Sequence, residues 1–240
     1  MSMSNPVKGI SFFMSGLLLV LKPGVRAYAL WPVLINTALF VMVTFLIIMK
    51  LDGLIDWMLS FLPSWLDFLR YILWPFMALA ALIVLVLVFS MLANLIAAPF
   101  NAALAAAVER HLGGVNIKSD YTVSNIISLV MNEVRKIIYF VIRAIPLLLL
   151  FVIPGVNILA PFVWLAFGAW MLCVEYADYP MGNHDLLFSE QKRLLQQKRF
   201  QSLGFGSVIA ASLMIPLLNF IVMPVAVAGA TKMWVEDLAK

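Results

Sequence analysis

Long uncharged runs separated by short charged segments set the pattern of this chain. Residues 27–49 are 23 consecutive positions without a charge, enough for a transmembrane helix of about 20 residues. Residues 71–108 are also uncharged, and the part up to residue 98 predicts a second full span. Residues 9–21 are apolar but too short to cross, and predict a helix lying in the interface or dipping partway in. Between the two spans, residues 54–66 place Trp57, Phe61 and Trp65 among Asp56, Ser60 and Ser64. That mixture of aromatic and polar groups suits a membrane–water boundary.

The second half reads differently. Residues 144–174 form a 31-residue uncharged run broken by Pro146, Pro154, Gly155, Asn157 and Pro161. Residues 200–231 form another of 32, broken by Pro216, Asn219 and Pro224. Each is too long for one comfortable span and too short for two with a turn. Two half-penetrating helices joined inside the membrane fit each run, and so do kinked ordinary spans. Irregular backbone at that depth survives only where protein buries it or a wet cavity solvates it, so paired broken segments point to a permeation path or an oligomer interface. Residues 101–112 and 120–143 predict amphipathic helices, the second ending in the membrane, and residues 183–202 predict a basic helix outside it. No linker divides the chain, and residues 1–240 are expected to form one all-α membrane domain.

Composition sharpens this picture. Of 240 residues, 64% are hydrophobic and only 12% charged, with a mean hydropathy of +1.03. A soluble domain carries roughly twice that charge, so most of the surface is expected to face lipid. The net charge of +4 comes from 16 basic and 12 acidic residues. No basic stripe interleaved with aromatics accompanies it, which argues against nucleic acid as a partner. With two full crossings, Lys8, Lys22, Arg26, Arg110, Lys118 and the Lys192, Arg193, Lys198 and Arg199 cluster share one face, leaving Lys50 and Arg70 on the other. The positive-inside bias makes the crowded face cytoplasmic. Residues 1–21 have the length of a signal peptide, but Lys22-Pro23-Gly24 follows instead of a small-residue cleavage site, so the segment is expected to be retained. The single cysteine, Cys173, excludes an internal disulfide and a cysteine–histidine zinc cluster, and it reads as a small buried hydrophobe.

Candidate chemistry concentrates in three places. Lys22-Pro23-Gly24-Val25-Arg26 precedes the first span, where Gly24 permits a positive φ and the following helix start leaves N–H groups without intrahelical partners. Those donors, the positive helix end and the Arg26 guanidinium together suit a tetrahedral oxyanion; an arginine reaching for lipid headgroups is the competing reading. Asn132, Lys136, Tyr139 and Arg143 recur at helical spacing and line one face, with Glu133 and Arg135 flanking it. Glu109 and Arg110 sit on the preceding helix, near Asn94 and Asn101. A pore-lining network of glutamate–arginine pairs is one reading, and salt bridges at the bilayer surface the other. His111 and His184 are isolated, no nucleophile, metal or P-loop motif is present, and neither a catalytic residue nor a cofactor or metal is expected.

Five stretches in order resemble the CysZ family of inner-membrane sulfate permeases, within the wider etoposide-induced-protein-like family. They are LKPGVRAYALWPVLINTALF at 21–40, NLIAAPFNAALAAAVE at 94–109, EVRKIIYF at 133–140, EYADYPMGNH at 175–184 and IPLLNFIVMPVAVAGATKMW at 215–234. Phe205-Gly206 adds to them. The resemblance implies two full spans with hemi-penetrating helix pairs, homo-oligomers in a bacterial inner membrane, and sulfate uptake feeding cysteine biosynthesis. It places sulfate on Gly24, Val25 and Arg26, and the polar pore groups on Asn94, Glu109, Arg110, Glu133 and Arg135. Family members often carry a second basic residue after the arginine, and this chain has Ala27 there. The rival class is a membrane scaffold or regulatory subunit that transports nothing.

Overall fold

The computed structural model describes residues 5–114, 123–215 and 218–239; the side chains of residues 88, 90–98, 123–130, 219 and 220 are outside that description. Among the described residues there are helices and no strands. In order they are α1 (Pro6–Val20), α2 (Arg26–Leu59), α3 (Arg70–His111), α4 (Val123–Leu149), α5 (Ala160–Gly182), α6 (Phe188–Gln197), α7 (Arg199–Leu213) and α8 (Asn219–Met233). A 3-10 turn, Ser64–Leu69, precedes α3 and a π turn, Trp234–Leu238, follows α8. Arg26–Leu59, Ser64–Leu87 and Ala160–Gly182 are long and apolar enough to cross a membrane. The molecule is an all-α membrane protein.

The chain expected as one domain divides into two compact units, Leu30–Phe100 and the remainder. The first is an antiparallel hairpin. Phe40 packs edge-on against Phe89 at 5.1 Å, Trp74 Nε1 donates to Asp52 Oδ1 at 3.2 Å, and Arg70 pairs with Asp56. Near the turn, Leu51, Ile55 and Leu59 are buried against Leu69, Leu73, Met77 and Ala78. Helix α2 stops where Ser60 turns its hydroxyl onto the Trp57 carbonyl (2.7 Å) and Pro63 follows in extended backbone, a residue that supplies no helical N–H. Trp57, Phe61 and Trp65 are exposed around this turn.

The second unit is built on close backbone approach. Helix α1 buries Gly9, Phe12, Phe13, Gly16 and Leu19 as it packs on α7 and α8. A Cβ on Gly9 would fall 2.0 Å from the Gln201 carbonyl oxygen, one on Gly16 2.2 Å from that of Val225, and one on Gly206 1.7 Å from that of Ala169. Small residues bring helices together in this way where apolar burial against lipid gives little driving force. Phe205, fully buried, meets Phe13 edge-on at 6.4 Å in the centre. Cys173 is free and buried there, as its apolar surroundings predicted.

Three boundaries differ from those expected. Residues 71–98 and 101–112 belong to one helix, α3, which runs 42 residues through Pro75 and Pro99; the alanine-rich sequence around Pro99 sustains it across one missing hydrogen bond. Residues 183–202 are not one helix: Lys198, at φ −115° and ψ 37°, separates α6 from α7. The run 200–231 resolves into α7 and α8, 15 residues each, or about 22 Å apiece against a hydrocarbon core of about 30 Å. In 144–174, α4 continues past Pro146 to Leu149, Gly155 turns the chain at φ 84°, and α5 starts with Pro161 in its first turn. Helix α5 is antiparallel to α4, with Phe140 stacked on Phe167 at 5.6 Å and Phe151 edge-on to Trp164 at 6.5 Å. It continues to Gly182, well beyond the expected end at residue 174. Lys118 and the first residues of the expected 120–143 helix lie outside the described residues.

Candidate functional site

The turn between α1 and α2 is anchored from below. Val25 is 1% exposed in the core of the second unit, whereas Lys22, Gly24 and Arg26 face outward. Gly24 adopts φ 86°, the left-handed backbone that a side chain would strain. The N–H groups of Val25 and Arg26 both donate to the Lys22 carbonyl at 3.1 Å. Two amides expected to face an anion are therefore engaged within the turn, and the Arg26 guanidinium, on the first residue of α2, is the outward cation.

Glu109 and Arg110 part company. Glu109 is 3% exposed, its Oε1 lies 2.8 Å from His184 Nε2, and among the described residues its Oε2 has no hydrogen-bond partner. The His184 ring in turn lies 5.2 Å from that of Trp234. A Cβ on Gly114 would sit 2.4 Å from Glu109 Cγ, so the glycine lets the chain close over the carboxylate. Arg110 and Arg135 are exposed. Among the described residues neither pairs with a glutamate; Glu109 meets His184, and Glu133 meets Lys136. The side chain of Asn94 lies outside the described residues.

The face of α4 read from its period is used in full. Asn132 Oδ1 accepts the Phe188 N–H at 2.5 Å. Lys136, 5% exposed, places Nζ 2.6 Å from Asp178 Oδ2, 2.8 Å from Glu133 Oε1 and 3.8 Å from Glu175 Oε2. Burial alone would lower the Lys136 pKa; the Asp178 and Glu175 charges and the Asp178 and Glu133 hydrogen bonds overcome it and hold it above the ordinary lysine value. Gln191 secures the cluster by donating Nε2 to Asp178 Oδ1 at 2.6 Å and to the Leu186 carbonyl at 2.9 Å. Tyr139 accepts from Trp170 Nε1 at 2.9 Å, and the Arg143 guanidinium lies over its ring at 3.8 Å.

Sequence reasoning missed Asp178, His184 and Gln191 as partners in these clusters. Glu175 and Asp178 stand three apart on α5, which puts both on one helical face, and that spacing was the available signal.

The family described as "Sulfate transporter CysZ/Etoposide-induced protein 2.4" matches residues 12–224. The chain belongs to that family. Relatives named "Sulfate transporter CysZ" cover it almost end to end. The protein of Pseudomonas fluorescens is 42% identical over 98% of this chain and 96% of its own length. That of Vibrio atlanticus is 41% identical over 98% and 94%, and that of Pseudomonas aeruginosa 37% identical over 96% of each. The CysZ-family match takes in the Arg26 turn, Glu109 and the whole Lys136 cluster, while Trp234 and the π turn lie beyond it. These relatives are named as transporters and not as enzymes.

Proposed function

We propose that this chain takes up sulfate across the bacterial inner membrane to supply cysteine biosynthesis, as a multi-pass, channel-like or ion-coupled homo-oligomer without an ATPase of its own. Its near full-length likeness to proteins named sulfate transporter carries the reading. The sulfate site is Gly24, Val25 and Arg26. With the Val25 and Arg26 amides engaged by the Lys22 carbonyl, the Arg26 guanidinium carries most of the binding, and Lys22 takes the place of the basic residue absent at Ala27. Asn94, Glu109, Arg110, Glu133 and Arg135 belong to the route, the two exposed arginines as anion contacts and the carboxylates as groups that keep an anion from binding too tightly to leave. The α4–α5 and α7–α8 hairpins enter and leave the membrane on one face, while α2 and α3 cross it.

The test is uptake of labelled sulfate by proteoliposomes without nucleotide. Flux above empty liposomes is expected, with chloride a poor competitor because a single atom cannot engage several divergent donors. A charge-assisted contact is worth about 1.5–3 kcal/mol, so Arg26→Ala should weaken sulfate binding roughly 10- to 100-fold. No flux from folded protein would favour the scaffold reading, and unchanged affinity in Arg26→Ala would remove the turn as the site.

A further inference from the structure

Beyond the Arg26 turn, two cations converge on a single ring. Arg143 Cζ lies 3.8 Å from the Tyr139 centroid and Lys192 Nζ 5.3 Å from it. The ring is fixed from two other helices: Trp170 of α5 donates to its hydroxyl, and Phe188 of α6 stands edge-on to it at 5.3 Å. Lys192 also lies 5.8 Å from the Phe188 centroid. Two positive charges are thus held on a stiff aromatic mount built from α4, α5 and α6.

Charge balance along that face is uneven. About two turns before Arg143, Lys136 has three carboxylates within 4 Å. Among the described residues Arg143 and Lys192 have none. Arg143 is exposed and Lys192 half-buried, so both remain open to a ligand. Two cations on one aromatic mount, left without acids, favour an anion beside them. A guanidinium offers a planar fork to two oxygens of a tetrahedral group, and an ammonium supplies a mobile point charge.

Position selects the occupant. Arg143 is the last charge before the apolar run, and Ile142, Ile145, Leu148 and Leu149 around it are exposed. On the half-penetrating reading of the α4–α5 hairpin proposed above, the pair stands where that apolar hairpin meets its charged base, at the level of lipid headgroups. We propose that Arg143 and Lys192, mounted on Tyr139, form a second oxyanion site whose occupant is the phosphodiester of an anionic phospholipid. Inorganic sulfate presents the same tetrahedral oxygens, so the test separates the two sources.

Delipidated full-length protein in mild detergent is titrated with short-chain phosphatidylglycerol, with phosphatidylcholine of the same chains, and with sodium sulfate. Lipid binding is read by native mass spectrometry and sulfate binding by calorimetry, for wild type, Arg143→Gln/Lys192→Gln and Arg143→Lys. Wild type should prefer phosphatidylglycerol by about tenfold or more, the contribution of one charge-assisted contact. The double variant should lose that preference and keep its sulfate affinity, while Arg143→Lys, which retains the charge, should keep part of it. A double variant that loses sulfate binding with its lipid preference intact overturns the lipid assignment in favour of free sulfate. Unchanged binding of both ligands in a monodisperse double variant overturns the site. If the double variant does not elute as wild type, salt decides: a wild-type preference that persists in about 0.5 M salt is not the electrostatic contact described, and overturns it. Flux through the Arg26 route does not enter these readouts, so either reading can fail without the other.

Discussion

Lys136 gathers Asp178, Glu133 and Glu175 around one ammonium, joining residues of α4 and α5, and Gln191 brings in α6. Removing one member of a buried ion pair costs about 3–5 kcal/mol because the remaining charge loses its partner. Glu133 and Glu175 are more than half exposed and tolerate the loss, so most of the cost falls on Asp178. Lys136→Met should therefore lower the thermal midpoint of detergent-purified protein by several degrees, and Lys136→Met/Asp178→Leu should recover part of the loss. Melting of Lys136→Met within a degree of wild type would remove the cluster from the stabilising groups. The residue scale is also where sequence is partly silent. The 132, 136, 139 and 143 positions follow from helical period alone, but their partners lie on helices that come later in the chain, and no local pattern names them. Glu109 is the clearest case, since its partner His184 is 75 positions away. Arginine neighbours in sequence suggested glutamate–arginine pairs, and packing chose the imidazole instead.

At the scale of elements, interruptions were more legible than continuations. Pro154, Gly155 and Asn157 marked a real turn between α4 and α5, whereas Pro146 and Pro224 lie inside α4 and α8. Pro75 and Pro99 marked none, because the helix around them is carried by good helix formers. Helix α5 illustrates why length alone misleads. It is long enough to cross a bilayer, yet its last two turns hold Glu175 and Asp178 on the Lys136 cluster, which belongs at the base of the α4–α5 hairpin. The apolar part of α5 before Glu175, residues 160–174, is about 22 Å long, short of a hydrocarbon core of about 30 Å. In a Cys173→Ala background, Val156→Cys at the hairpin turn should resist an impermeant maleimide from both sides, while Gln196→Cys on α6 should react from one. Labelling of Val156→Cys from the side opposite Gln196→Cys would mean a full crossing and would sink the half-penetrating reading.

For the molecule as a whole, the ends of the described chain are tied together. Lys8 on α1 contacts Asp237 in the π turn at 2.6 and 2.7 Å. Burial would raise the Asp237 pKa, but the hydrogen bond and charge of Lys8, with Lys198 and Gln201, bring it below the ordinary aspartate value of 3.8. A depressed carboxyl stabilises the fold above its unfolded value, and the contribution disappears as pH falls through the folded one. Wild type should therefore melt above Asp237→Asn at pH 7, with the gap closing as the pH falls below about 4. A gap that is constant or wider in acid would contradict the assignment. None of this clasp could be read from the sequence, because it joins two positions 229 apart.

The same arrangement has a consequence for the order in which the molecule is made. Helix α1 leaves the ribosome well before α7 and α8, yet the surfaces that receive Gly9 and Gly16 are the backbones of Gln201 and Val225 on those later helices. Throughout translation its buried face, with Phe12 and Phe13, has no permanent partner, and the bilayer surface is the natural shelter for so apolar a helix. Helix α1 thus emerges long before it can be packed, and a nascent chain that stops short of α8 leaves it unclaimed.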